Sequence, residues 1–152
     1  IGYVGEIAGE IRYQGYHSAL KDNGLEFSWK YIVESPLGMD QACEKVRKKV
    51  RTDDFPTAFF CANDSTAIGT MKALQSMNFS VPENISIIGI DDIDLSRYVT
   101  PMLTTVYIPK TDLGRVSAQM LIDQIEGRYD TPMEIKLPYT IIERQTVKCR
   151  RS

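Results

Sequence analysis

The feature that most constrains this chain is a strand, a helix and a strand in direct succession over residues 57–92, TAFFCANDSTAIGTMKALQSMNFSVPENISIIGIDD. Residues 57–61 are β-branched and aromatic behind Pro56, which suits a buried strand. Asn63 and Asp64 break the run, and Asp64 or Ser65 is expected to cap the helix that follows. Ile68, Met71, Leu74 and Met77 recur at helical spacing, and Asn78 followed by Pro82 closes the element. Residues 85–90, ISIIGI, are apolar apart from Ser86 and Gly89, the pattern of a strand covered on both faces. Two parallel strands joined by a helix form a right-handed βαβ unit. Open sheets of this kind bind ligands beyond the carboxyl ends of their strands. Asn63-Asp64 follows the first strand and Asp91-Asp92 the second, so both polar pairs are expected at that edge.

The rest of the chain continues the alternation. Residues 1–4 read as a strand entering a glycine-rich loop whose spacing is not the dinucleotide fingerprint. Residues 12–23 read as a helix with Tyr13, Tyr16 and Leu20 on one face and Gly24 as its stop. Residues 30–33 form a second strand. Met39, Ala42, Cys43, Val46 and Val50 then mark a strongly amphipathic helix with Lys and Arg on its wet face. After the central unit come a helical turn at 94–99, a strand at 103–107, and a helix carrying Leu113, Val116, Met120, Leu121 and Ile125 that ends near Gly127. Two short strands, 134–137 and 139–143, flank Pro138. This order predicts an α/β fold, a parallel sheet with helices on both faces. At 152 residues the chain is one domain, or one domain and a piece of another.

Composition excludes more than it assigns. A net charge of −2 gives the body of the chain no electrostatic reason to bind nucleic acid or an anionic membrane. The basic tail, with Arg144, Lys148, Arg150 and Arg151, reads as solvated. Three cysteines, two of them at apolar helix and strand positions, fit reduced core thiols and a cytoplasmic location. No stretch is apolar for long enough to be a membrane helix. The chain opens on a strand with no methionine or leader before it, so it is expected to be the downstream part of a longer polypeptide.

No P-loop, HExxH or GxSxG motif is present, and the single histidine, His17, lies mid-helix, so no enzymatic activity and no cofactor are expected. Asp91-Asp92 could hold Mg²⁺, but no third carboxylate is aimed at the pair; either residue could also simply cap a turn. Taken together, Asp91 as an acceptor, Asn63 as donor and acceptor, and Arg12 as a planar fork of donors suit a polyhydroxylated ligand better than a reaction.

The run CANDSTAIGTMKAL, then VPENISIIGIDD, then PMLTTV with LG a few residues on, resembles the lactose and galactose repressor family of bacterial transcription regulators. The likeness extends from IGYV through RYQGYHSAL to IIERQT. It implies a periplasmic-binding-protein-like effector domain of two lobes, preceded by a helix-turn-helix head and a hinge helix upstream of this chain. Residues 1–108 with 138–146 would be the second lobe. Residues 109–137 would cross back to complete the first, and 147–152 would be the basic tail. The resemblance further implies effector contacts at Arg12, Asn63 and Asp91, with Leu37 where many members stack an aromatic on the ligand; a leucine cannot stack that way. The loop before Arg12 is shorter than is typical of the family. Ile68, Met71, Leu74 and Tyr98 correspond to surfaces that pair two effector domains, although the helix residues fit core packing equally well. The implied function is sensing of a sugar or related metabolite by a homodimeric repressor, with operator DNA held only through the upstream head. A periplasmic sugar-binding protein of an uptake system shares the architecture and is the alternative.

Overall fold

Among residues 1–149, which the computed structural model describes, six strands form one sheet. They are β1 (Gly2–Gly5), β2 (Ile32–Glu34), β3 (Ala58–Cys61), β4 (Ser86–Ile90), β5 (Thr104–Tyr107) and β6 (Thr140–Ile142), in the order β2-β1-β3-β4-β5-β6. The first five are parallel and β6 is antiparallel to β5. Arg150 and Arg151 of the expected tail lie outside the described residues.

Helix α1 (Ile11–Asp22) covers one face of the sheet, and α2 (Met39–Lys49) and α3 (Asp64–Ser76) cover the other. Alternation along the strands builds the two layers. Tyr3, Ile32 and Phe60 point toward Tyr16 and Leu20, while Val4, Val33, Phe59, Cys61 and Ile87 join the cluster of α2 and α3. Side chains such as Phe59, Leu74 and Ile87 are essentially out of water, a gain of about 1.5–3 kcal/mol each. Burial also pushes the Cys61 thiol up to about 12, so it stays a packing group.

Gly69 lets α3 approach the start of α2: a Cβ there would sit 2.1 Å from the Met39 carbonyl oxygen. That closeness favours core packing over a partner surface for the apolar residues of α3. Ile68, Met71 and Leu74 are 6%, 3% and 0% exposed and share a cluster with Ala42, Cys43 and Val46 of α2. Their side chains complete the chain's own core and have almost no surface left for a partner. Tyr98, 80% exposed, is the only one of the four that faces solvent.

The far end of the chain behaves differently. Helix α4 (Lys110–Ile125) leaves Leu113, Leu121, Ile122 and Ile125 between 47% and 77% exposed. Tyr129, Met133 and Ile135 beyond it are also exposed. Residues 134–137 do not form the expected strand; of the two segments expected here only β6 joins the sheet, antiparallel to β5. The chain is then tied back to the sheet by Thr146, which is fully buried: its hydroxyl donates to Ile87 O (2.7 Å) and accepts from Thr104 N (2.8 Å). No helix among the described residues is long and apolar enough to cross a membrane.

Candidate binding site at the carboxyl edge

Because β1 to β5 run in parallel, the segments that leave them converge on one edge. Registers of Phe60 with Ile88 and Val4 with Cys61 place the residues after β3 between those after β1 and those after β4. Asn63 follows β3 and Asp91 follows β4 at that edge. Arg12 joins them from the start of α1, its Nη1 donating to Ala62 O at 2.8 Å. The structure thus brings Arg12, Asn63 and Asp91 to one edge.

Asn63 is the cap of α3, where Asp64 or Ser65 was expected. Its backbone is extended and its Oδ1 accepts from Thr66 N at 2.8 Å. The amide NH₂ is the part of the side chain left for a ligand. Asp64, one residue on, is fully buried. Its carboxylate accepts from Ile93 N (2.9 Å), Ser96 Oγ (2.7 Å) and Thr105 Oγ1 (2.5 Å). Gly89 makes room for it, since a Cβ there would lie 2.2 Å from Asp64 Oδ1. Asp64 therefore clamps the turn after β4 against the start of α3. Sequence reasoning took it for a cap; only the register of β4 with β5 shows that it faces inward.

Asp91 and Asp92 sit in that turn with φ of +116° and +45°. Two consecutive non-glycine residues in positive-φ backbone cost on the order of 1–3 kcal/mol each, and strain of this kind collects at functional sites. The pair divides its work. The Asp92 side chain is 4% exposed and bonds Arg144 Nη2 (2.5 Å) and Arg97 Nη2 (3.0 Å). Burial opposes its charge, but hydrogen bonds from Arg144 and Arg97 outweigh that and hold its carboxyl below the usual range. With both oxygens so engaged, Asp92 is a brace and not half of a cation site. No group of three His, Cys, Asp or Glu among the described residues is placed to hold a metal ion.

Asp91 has no such partner. Its backbone N donates to Val106 O (2.8 Å), and Lys110 Nζ donates to its carbonyl oxygen, while its carboxylate makes no hydrogen bond among the described residues. Burial pushes that carboxyl above its ordinary range, with Asp64 adding to the shift and Lys110 and Arg12 opposing it. A half-buried carboxylate without a partner on a strained turn is arranged to accept hydroxyl donors. Lys110 is a further member of the edge that the sequence pattern did not single out.

Leu37 also lies at this edge, between β2 and α2, but its side chain packs with Ile7 and Tyr13 against the cluster under α1. It is a wall and not a platform. A mainly apolar cavity of about 840 Å³ lies between α1 and the sheet, lined by Tyr16, Leu20, Leu25, Phe60, Ile88 and Val147 among others. Arg12 is the one residue it shares with the edge set, and it lacks the convergent polar groups found there.

Residues 1–147 match the family described as the periplasmic binding protein-like domain. The HTH-type transcriptional repressor PurR of Vibrio vulnificus is 33% identical over 147 residues, 97% of this chain and 44% of that protein. The ribose operon repressor of Haemophilus influenzae is 30% identical over 96% of this chain and 44% of its own length. Among solved structures, a LacI family transcriptional regulator from Enterococcus faecium with bound ribose superposes with a TM-score of 0.83 at 28% identity, covering 95% of this chain and 55% of that one. The chain thus spans less than half the length of these two repressors.

Proposed function

This chain belongs to the periplasmic binding protein-like family, among the effector domains of lactose- and galactose-repressor-type regulators, and from that premise we propose that it is the effector-sensing lobe of a transcriptional repressor. The observation that carries the reading is Asp91: an unpartnered, half-buried carboxylate on a strained turn, on the same edge as Asn63 and beside Arg12. Arg12 and the Asn63 amide donate to ligand oxygens, Asp91 accepts from ligand hydroxyls, and Leu37 limits the pocket from the β2 side. Such a set fits a sugar or a related polyhydroxylated metabolite. The names of the Haemophilus relative and of the ribose-bound neighbour support the sugar class. The repressor reading is favoured over an uptake protein because these relatives are named as repressors.

In the proposed whole protein, residues 1–108 and 138–146 form this second lobe, and 109–137 complete the first lobe, which closes over the carboxyl edge. The exposed apolar face of α4 supports that division. Effector binding favours one interlobe angle, and that population shift is passed to a DNA-binding head carried elsewhere in the polypeptide. A cytoplasmic homodimer is the form proposed, with Tyr98 as the candidate contact from the original set. The test is calorimetric titration of the full-length protein with a panel of neutral sugars that includes D-ribose and cellobiose. Saturable binding that Asp91→Ala weakens is expected. Binding unaltered by Asp91→Ala would remove the edge from consideration.

A further inference from the structure

Glu10 is a charged residue at the edge that the effector reading leaves without a task. Its carboxylate accepts from Arg12 Nε and Nη2, both at 2.8 Å, and from the Arg12 backbone N at 3.0 Å. The Glu10 side chain is 13% exposed and that of Arg12 30%. Nη1 of Arg12 donates to Ala62 O, next to Asn63. Three of the five guanidinium N–H groups are therefore committed, and the plane of the group is fixed from two sides. These hydrogen bonds hold the Glu10 carboxyl down at about 2, so the pair stays ionised at any ordinary pH. Glu10 is also the N-cap of α1, so its carboxylate fills the place where a foreign anion would meet the first amides of that helix.

This arrangement decides what Arg12 can recognise. A phosphate or carboxylate is held best by the bidentate fork of an arginine, and here Glu10 occupies the fork. At the edge Arg12 and Lys110 are positive and Glu10 and Asp91 negative, and Glu6 and Glu34, where β1 and β2 end, add further negative charge. Asp91, lacking a partner, would repel an entering anion. What Arg12 has left is one N–H on Nη1 and one on Nη2, on a guanidinium whose charge Glu10 already balances, which suits hydroxyl oxygens better than a second anion.

Resting on the effector site proposed above, we propose that Glu10 is a specificity-determining residue: by occupying the fork of Arg12 it makes the edge select uncharged polyhydroxy compounds and reject their phosphorylated counterparts. The test is titration of the full-length protein and its Glu10→Gln variant, at constant ionic strength, with D-ribose, D-ribose 5-phosphate and inorganic phosphate. The wild-type protein should show no saturable binding of inorganic phosphate, and a preference of at least roughly tenfold for D-ribose over its phosphate ester. Glu10→Gln should gain phosphate binding and shrink that preference by roughly tenfold or more. A purely structural role for Glu10 would weaken all ligands alike and leave the ratio unmoved, which would overturn the proposal. So would phosphate binding by the wild-type protein that Arg12→Ala abolishes, an arm that needs no stable Glu10 variant. Failure of D-ribose to bind either protein counts against ribose as effector, while the inorganic phosphate arm still decides the role of Glu10.

Discussion

Helices α3 and α4 obey the same helical spacing of apolar residues and meet opposite fates. In α3, Ile68, Met71 and Leu74 are all but excluded from water; in α4, Leu113, Leu121 and Ile125 are 47%, 58% and 77% exposed. Local propensity does not separate the two helices. The difference lies in what covers them: α2 and the sheet lie over α3, while among the described residues nothing comparable lies over α4. Periodicity says that a helix face is meant to be buried, not against what. The contrast agrees with the proposal that residues 109–137 serve the other lobe.

Substitutions can break that contrast directly. Leu74→Ala should cost about 2–5 kcal/mol of unfolding free energy, whereas Leu121→Ala in the 152-residue chain should stay within about 0.5 kcal/mol. Urea titration of both variants is the check, and equal losses would mean that α4 has a core of its own in this chain. Asp64→Ala, which strands three donors in the interior, should cost roughly 2–4 kcal/mol, against almost nothing for Asp112→Ala in the exposed first turn of α4.

At the edge the contrast becomes one of binding against stability. Asp91→Ala should weaken effector binding by about 1.5–3 kcal/mol without loss of stability. Asp91→Gly should abolish the same contact while stabilising the fold by about 1 kcal/mol, since glycine accepts a φ of +116° without strain. Calorimetry and urea titration on the same samples read both effects. A stabilised variant with full affinity would show that the strained turn serves something other than the ligand.

The smallest expected effect is one of pH, and its sign separates two carboxylates. Glu10 is held at about 2, below its ordinary value of 4.5, so its contribution to stability is complete above 4.5 and is lost as pH falls toward 2. Asp91 is shifted the other way: its charged form is disfavoured in the fold, and that cost is relieved once it protonates. Effector affinity should therefore decline with acid before the Glu10–Arg12 pair breaks. Titrations from neutral pH down to the start of unfolding test this, and Asp91→Asn should flatten the profile.

Much of the fold was legible because strand and helix periods alternate without interruption and the polar pairs fall directly after strands. Asn63 and Asp91 could be placed on a common edge from order alone. What stayed illegible depends on neighbours. Residues 134–137 alternate like a strand, but alternation yields a strand only where the segment pairs with a neighbour, and here only β6 pairs with β5. Asn63 and Asp64 are adjacent and both suit a cap, and only three-dimensional register turns one outward and the other into the core. The fork between Glu10 and Arg12 is a contact at a separation of two residues that no helical or strand period marks.

The central claim is that the effector sits on the carboxyl edge and draws the other lobe over it. Hydrogen exchange on the full-length protein, with and without a saturating neutral sugar identified in the titration panel, tests it most directly. The account predicts new protection at residues 6–12, 62–64 and 91–93, and at the start of α4 where Lys110 meets the Asp91 carbonyl. Protection confined to the cavity between α1 and the sheet, with the carboxyl edge unchanged, would contradict it.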